Sequence, residues 1–483
     1  MHTQLLLPFI GYFCVLLTIG LIAHRRQTSS ADFIVGNRSL NFWVTALSAH
    51  ASDMSSWLFM AFPALIYLGG LSQSWVALGL LVGMFCNWQF IARRLRSLTE
   101  KYDSYTLSTF FERRFNDTTG IIRILTAVMS LFFLTSYIAA GLIGLGLVFE
   151  SVFGINFYIG ITISSIVILI YTFVGGFITV AWTDLCQALF LLCAIIVVPV
   201  IAYSTLDNGL ASVIEAANHK QISLSILPDL SMDTILTIIF LILSWAPGYF
   251  GQPHILTKFM GINNVSNMNK SKYIGMCWQL VALGAATSIG FVAIAFFSTP
   301  LANPELVFIE MVKILFHPLA AGFILCGVLA ATISTIDSQI LVCGSILSED
   351  IYRNLFRKRA SQRELLAASR SGVMIVTFVA LGLALNKNTT ILEAVAYAWA
   401  GLGCSFGPVL LSALYWKRVN NYGAIAGVFV GGLVAGVWPS VNGYFTSLVI
   451  PAMIPGFLLS FASIYFVTRL TEVQSVKGVK VKA

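Results

Sequence analysis

Charge is what this chain has least of. Asp, Glu, Lys and Arg make up 10% of its 483 residues, against about 25% in an average soluble domain. Such scarcity excludes a soluble globular enzyme, a disordered protein and a nucleic-acid binder. Cysteine and histidine are few as well, at 8 and 6 positions. No CxxC pair occurs and no histidine stands at ligand spacing from a cysteine, so neither a metal site nor a disulfide framework is indicated. Cys14, Cys86, Cys186, Cys193, Cys277, Cys326, Cys343 and Cys404 all fall in apolar stretches and read as small buried hydrophobes. The run from Leu5 to Ala23 lacks a basic leader and a small-residue cleavage site, and reads as a retained helix. Low-complexity stretches, linkers, phosphate loops and Ser/His/Asp sets are missing too. The tail after Arg469 is too short for a signalling module.

What is present is apolar surface: 58% of residues are hydrophobic and the mean hydropathy is +0.87. The apolar runs are long and continuous rather than ten-residue alternations, which predicts an all-α polytopic membrane protein and not a β-barrel. About thirteen spans are predicted, near 5–23, 42–70, 73–92, 121–150, 156–180, 184–205, 234–258, 273–298, 307–345, 371–386, 390–415, 423–439 and 447–468. The segment 305–317 also reads as an amphipathic helix before Pro318, and 206–232 as a long loop of mixed charge.

Basic residues divide sharply between alternate loops. One set holds Arg25, Arg26, Arg38, Arg93, Arg94, Arg96, Lys101, Arg113, Arg114, Lys258, Lys270 and Lys272. It continues with Arg353, Arg357, Lys358, Arg359, Arg363, Arg370, Lys417, Arg418 and the tail lysines. The other set holds little beyond Lys220, Lys313 and Lys387. The positive-inside rule then puts the N-terminus outside and the C-terminus in the cytoplasm.

Two spans are interrupted. Ala49-His50-Ala51-Ser52-Asp53-Met54-Ser55-Ser56 sets small polar residues and an acid inside one. Trp245-Ala246-Pro247-Gly248-Tyr249-Phe250-Gly251-Gln252-Pro253 sets two prolines and two glycines inside another. Proline removes a backbone donor and breaks a helix, and unwound backbone at membrane depth is tolerated only against protein or a water-filled cavity. With five helices each, 42–205 and 234–415 form candidate repeats of opposite topology. Each break falls in the first helix of its repeat, the place where secondary transporters build their sites. The whole chain reads as one transporter domain, with 5–23 as an extra N-terminal helix, 423–468 as two further helices and 469–483 as a cytoplasmic tail.

Three acids sit uncomfortably inside spans, and each is a functional hypothesis by default. Asp53 lies in the first break, where it serves as a helix cap or attracts a cation. Asp337 belongs to the run Thr332-Ile333-Ser334-Thr335-Ile336-Asp337-Ser338. Ser334, Asp337 and Ser338 share a helical face with Thr335 beside it, a set of oxygens suited to a hard monovalent cation. Asp184, after Trp182-Thr183, reads equally as an interfacial helix-start acid. Trp245 and Tyr249 flank Pro247-Gly248 and, with Tyr137, are candidates for packing a small apolar solute.

Five segments carry a family resemblance: GNRSLNFWVTALSAHASDMSSW (36–57), FVGGFITVAWTDLCQA (173–188), SWAPGYFGQPHILTKFM (244–260), LAATISTIDSQILVCGSILSEDIY (329–352) and AYAWAGLGCSFGPVLL (396–411). Across roughly residues 5–468 the chain resembles the solute:sodium symporter family. The resemblance implies a LeuT-type core of five plus five helices and sodium-driven import through a bacterial inner membrane. The implied solute is L-proline, with another amino acid, a betaine or a pantothenate-like carboxylate as alternatives; a non-transporting sensor on the same fold is a third reading. No organic cofactor, enzyme activity or obligate protein partner is implied. By position, sodium would meet the carbonyls of Ala51, Met54 and Ala331 and the hydroxyls of Ser334 and Thr335. Ser55, Ser56, Tyr137, Trp245, Tyr249 and Pro253 match the substrate site, while Asp53 and Arg38 match residues tied to coupling. Asp184, Asp337 and Ser338 match a second sodium position in some members. Ser56 and Ala246-Pro247 depart from the pattern, at glycine and at a glycine-leucine pair respectively.

Overall fold

The computed structural model describes residues 2–24, 30–387, 389–445 and 449–480. Arg25, Arg26 and Lys482 therefore lie outside the described residues. No strand occurs among those described; an isolated bridge joins Leu40 and Ile262.

Helix α1 covers His2–His24. The first interrupted span comprises α2, Phe42–Ala51, a short turn of helix at Ser56–Phe59, and α3, Ala61–Gly69. There follow α4 (Trp75–Cys86), α5 (Ile121–Phe153), α6 (Phe157–Val174) and α7 (Phe177–Ser204). The second interrupted span comprises α8 (Met232–Trp245) and α9 (Pro253–Met260). It leads to α10 (Met268–Phe296), α11 (Pro318–Ser345), α12 (Gln362–Ala384) and α13 (Ile391–Tyr415). Helices α14 (Asn421–Phe445) and α15 (Met453–Lys480) close the chain. Among the described residues ten helices are long and apolar enough to cross a membrane, and Gln4–Ile19, Ser56–Gly69 and Phe157–Ile170 are shorter apolar ones.

The helix ends follow local chemistry. Asn41 caps α2, its side chain accepting from Val44 N at 2.9 Å. Ser361 with Glu364 and Thr390 with Glu393 form capping boxes at the starts of α12 and α13. Proline opens α9 and α11, where its missing N–H would have no helical partner anyway.

Several predicted boundaries move. α6 stops at Val174 and α7 begins at Phe177, so the 156–180 span ends at the Gly175-Gly176 pair. Asp184 consequently sits about two turns inside α7 rather than at an interfacial helix start. The 307–345 stretch is two helices, Val307–Leu315 and α11, with the amphipathic piece before Pro318 as expected. Arg93–Lys101, read as loop, prolongs α4 as helix, and Ile346–Phe356 prolongs α11. The tail through Lys480 is helical as well. Five of the eight cysteines are not core residues: Cys86 is half-buried, and Cys14, Cys186, Cys193 and Cys277 are exposed, on apolar helices whose outer faces also expose large hydrophobics.

Packing is reciprocal. α5 lies against α13 and α6, while α11 lies against α7 and α12. α10 packs on α2 and α3, and α4 packs on α8 and the 246–251 segment. α2 pairs with α7, and the 246–251 segment pairs with α13. α5 and α11 touch one another at the centre. Both interruptions are thereby held in the interior, where every residue from Val44 to Phe62 is buried.

Candidate functional site

The end of α2 leaves carbonyls that its own helix cannot use. His50 O accepts from Asp53 N and Met54 N, and Ala49 O from Ser52 Oγ. Ala51 O is met instead by α11: Ser334 Oγ lies 2.9 Å away and Thr335 Oγ1 3.3 Å away. The same hydroxyls stand 2.9 Å and 3.2 Å from Ala331 O. Four neutral oxygens thus converge between the first break and α11, at the negative end of a helix dipole. All four residues are buried. A set of hydroxyls and carbonyls without a carboxylate suits a hard monovalent cation better than a divalent one. Met54 lies buried in the same break.

The second break faces the first. Tyr249 OH donates to Asp53 Oδ2 at 2.5 Å and accepts from Gln279 Nε2 at 3.0 Å. Trp57 Nε1 donates to the Asp53 carbonyl at 3.0 Å. Asp53 is therefore not an N-cap; it ties the two interrupted helices together. Trp245 stacks on Trp57, with centroids 6.2 Å apart, and Trp399 Nε1 donates to Trp245 O at 2.9 Å. Tyr249 meets Trp399 edge-on at 4.9 Å. This approach requires Gly248, because a Cβ there would lie 1.9 Å from Trp399 Nε1.

Around these rings lies a set of fully or almost fully buried polar atoms without a hydrogen-bonding protein partner. They are Asp53 Oδ1, Ser55 Oγ, Ser56 Oγ, Tyr137 OH, Gln252 Oε1 and Gln279 Oε1. Unpaired buried polar groups cost about 1–3 kcal/mol each, so such a cluster marks a place built to receive a polar ligand. His254, buried edge-on against Tyr137 at 5.9 Å, also has both ring nitrogens unpaired. Ser56 packs on α5 where Gly144 leaves room: a Cβ at Gly144 would stand 2.5 Å from Ser56 Oγ.

Access differs on the two sides. A cavity of 820 Å³ reaches Trp245 past Leu65, Ser136, Ala140, Ser244 and Tyr397. On the opposite side, around Pro253, Ser130, Thr257 and Ser345, only 20 Å³ remains. Pro253 thus lies on the closed side, apart from the vestibule that Trp245 borders. The helix Leu107–Arg114 begins at this closed side. Asp350 Oδ1 accepts from Thr106 Oγ1, Thr109 Oγ1 and Arg123 Nε at 3.0, 3.1 and 2.9 Å and so pins it there.

The remaining predicted residues separate. Asp337 does not join Ser334 at the cation pocket; it turns to α6, where Thr172 Oγ1 donates to its Oδ1 at 2.7 Å. Ser338 Oγ stands 3.4 Å from Asp184 Oδ2, and Lys258 Nζ donates to that same oxygen at 2.8 Å. Lys258, read as one charge of a basic loop, is in fact buried in an ion pair. Arg38 is remote from both breaks: its Nη2 donates to Thr99 O and Ser104 O at 2.9 and 3.1 Å, tying the loop that leads into Leu107–Arg114. Sequence reasoning also missed Trp57, Trp399, Gln252, Gln279 and His254. Trp57, Gln252, His254 and Trp399 lie within the motif segments quoted above; Gln279 carries no local signal.

The model of the sodium:solute symporter family matches residues 33–431. The chain is 40% identical over 464 residues to the high-affinity proline transporter PutP of Bacillus subtilis (strain 168), covering 95% of this chain and 97% of that one. It is 39% identical over 482 residues to the sodium/proline symporter of Escherichia coli (strain K12), covering 98% and 94%. Among solved structures, a Na+-coupled sialic acid symporter in a substrate-bound outward-open state superposes with a TM-score of 0.82 at 17% identity, over 97% of this chain and 98% of that one. MhsT in complex with L-phenylalanine gives a TM-score of 0.57 at 13% identity, over 88% and 97%. These last two likenesses are of fold.

Proposed function

The chain belongs to the sodium:solute symporter family, and on that premise we propose that it imports L-proline together with sodium by alternating access. It is a transporter and not an enzyme. Proline as substrate is supported by full-length relatives named as proline transporters. The observation that carries the mechanism is the convergence of Ala51 O, Ala331 O, Ser334 Oγ and Thr335 Oγ1 at the first break. Sodium at these oxygens would replace the hydroxyl-to-carbonyl contacts and hold the break against α11. The same break carries Ser55, and through Asp53 it grips Tyr249. A bound ion therefore favours the arrangement in which the solute's polar groups find Ser55, Tyr137 and Gln279, beneath the rings of Trp57, Trp245 and Trp399. Coupling is that differential affinity.

Reciprocal packing supports two inverted repeats, α2 to α7 and α8 to α13, with α1, α14 and α15 outside them; on that reading, with each interrupted helix counted once, the protein would have thirteen spans. The basic segments Arg93–Lys101 and Arg353–Arg370 lie on the closed side of the molecule. By the positive-inside rule that side is cytoplasmic, the vestibule faces outward, and the membrane is the bacterial inner one. One coupling ion is the reading favoured, because the Lys258 ammonium already neutralises Asp184 where a second cation would sit.

The test is uptake of labelled L-proline into proteoliposomes under an inward sodium gradient, with potassium substituted as control. Accumulation with sodium alone is expected. Ser334→Ala and Thr335→Ala should each raise the sodium concentration for half-maximal uptake about tenfold, a loss of ~1.4 kcal/mol. Unchanged sodium dependence in both variants would remove this site.

A further inference from the structure

His50 takes no part in the cycle described above, yet it stands one position before the Ala51 carbonyl. From Ser48 to Ser52 the chain reads Ser-Ala-His-Ala-Ser, so the imidazole is the single large side chain in the last turn of α2. It is fully buried. A leucine would fill such a place without taking polar nitrogens out of water. The surroundings show what the nitrogens are for. Trp88 Nε1 donates to His50 Nε2 at 3.1 Å. An indole N–H can only donate, so Nε2 offers its lone pair and the ring proton sits on Nδ1.

Four helices hold this ring, directly or through one neighbour. Trp88 belongs to a π-helical segment, Asn87–Ala92, between α4 and its prolongation; such extra residues in a helix recur at functional sites. The Trp88 and His50 rings lie 6.1 Å apart with their planes 18° from parallel. Trp88 also packs on Phe259 of α9, at 4.3 Å. Trp278 of α10 meets the imidazole at 6.0 Å and donates from Nε1 to Ala188 O of α7 at 3.0 Å. α10 comes so close that a Cβ at Gly275 would stand 2.2 Å from His50 Nε2. The His50 carbonyl closes the turn, accepting from Asp53 N and Met54 N at 3.2 Å each. The next carbonyl, Ala51 O, meets Ser334 Oγ at 2.9 Å. With only alanine and serine on either side of it, the imidazole is what locates the end of α2 among its neighbours, and that end carries the Ala51 oxygen. We propose that His50 is a positioning residue for the coupling ion, and that its bond from Trp88 sets where Ala51 O stands. The inference rests on the sodium site proposed above and adds the contact that shapes it.

Sodium binding and transport read this separately. The purified full-length protein would be titrated with sodium at constant ionic strength, choline replacing it, and followed by thermal unfolding; proteoliposomes would give initial proline uptake over the same range. His50→Ala and Trp88→Phe should each raise half-saturating sodium about fivefold in both assays. The double variant should be no worse than either single one, because one bond is lost in all three. In His50→Gln the side-chain carbonyl can accept from Trp88 in place of Nε2, and the sodium curve should return to within about twofold of wild type. At saturating sodium the KM for proline and the maximal rate should change by less than about twofold in every variant. A lower unfolding temperature with an unmoved sodium curve would reduce His50 to packing and overturn the proposal. So would His50→Gln as weak as His50→Ala, or single effects that multiply in the double variant. Ser334→Ala runs alongside: a shift there with none in the His50 and Trp88 variants sinks this inference alone, whereas no shift in any of them removes the ion site and this inference with it. Should His50→Ala fail to fold, Trp88→Phe and His50→Gln, which both keep a large side chain in place, carry the same test.

Discussion

Removing one oxygen atom tests the link between the two interrupted helices. In Tyr249→Phe the ring keeps its edge-on contact with Trp399 at 4.9 Å. The hydroxyl that donates to Asp53 Oδ2 at 2.5 Å and accepts from Gln279 Nε2 at 3.0 Å is gone. A hydrogen bond to a charged group contributes about 1.5–3 kcal/mol, and the Gln279 amide loses its own partner as well. That energy now holds the first break in the geometry that presents Ala51 O to Ser334 and Thr335. Without it the competent arrangement is less populated, and the apparent affinity for sodium falls with that fraction. The shift in half-saturating sodium should be up to about 10- to 150-fold. The assay is initial-rate proline uptake in proteoliposomes at stepped sodium concentrations, for wild type, Tyr249→Phe, Asp53→Asn and the double variant. The two changes should be strongly non-additive. Effects that add within about 0.5 kcal/mol, or a weaker proline affinity with an unmoved sodium curve, would refute the link and leave Tyr249 as packing alone.

Other outcomes follow from the same geometry. Gly248→Ala forces a Cβ to within 1.9 Å of Trp399 Nε1; it should destabilise by about 1–3 kcal/mol in thermal unfolding and cut uptake, whereas Gly443→Ala, with nothing nearby, should do neither. Asp184→Asn strands a buried ammonium and should cost about 3–5 kcal/mol, while Asp184→Leu with Lys258→Met should unfold close to the wild-type temperature. Glu305 caps α13, accepting from Ile391 N and Leu392 N at 3.2 Å each. Burial holds its carboxyl above the ordinary carboxylate range, although these two N–H groups pull the other way. The folded chain thus binds that proton more tightly than the unfolded one. Its contribution to stability is fullest below the unfolded value and declines as pH rises through the folded value. The unfolding temperature of wild type relative to Glu305→Gln should therefore fall as pH is raised from about 4, and a flat difference would refute the assignment.

The architecture was largely legible because its signals are local. Long apolar runs and two stretches of glycine, proline and small polar residues act through neighbouring residues. Ser334 and Thr335 stand out in the sequence as hydroxyls clustered in an apolar helix, and the structure sets both within 3.3 Å of the Ala51 carbonyl. What failed was direction. A helical wheel placed Asp337 beside Ser334, but it cannot say which neighbouring helix each residue meets, and Asp337 meets Thr172. Lys258 looked like topology because a lysine at the end of an apolar run usually is; its partner Asp184 lies 74 residues earlier. Gln279 was invisible for the same reason, since its role exists only through Tyr249. The start of α7 was misread although Gly175-Gly176 was in plain view, because apolar content alone does not show where a helix turns.

The buried lysine has an electrical consequence. Its ammonium is part of the chain and is balanced by Asp184, so it cannot leave on either side of the membrane. On the function proposed above, an ion held by Ala51, Ala331, Ser334 and Thr335 would meet only neutral atoms and could leave. With one such ion and a zwitterionic amino acid as cargo, each inward cycle would carry one net positive charge, and the carrier would act as a current source. A membrane potential of 100 mV adds about 2.3 kcal/mol to that step, which corresponds to a roughly fiftyfold steeper accumulation ratio. The cell's voltage, and not the sodium gradient alone, would set how much solute this protein can hold inside.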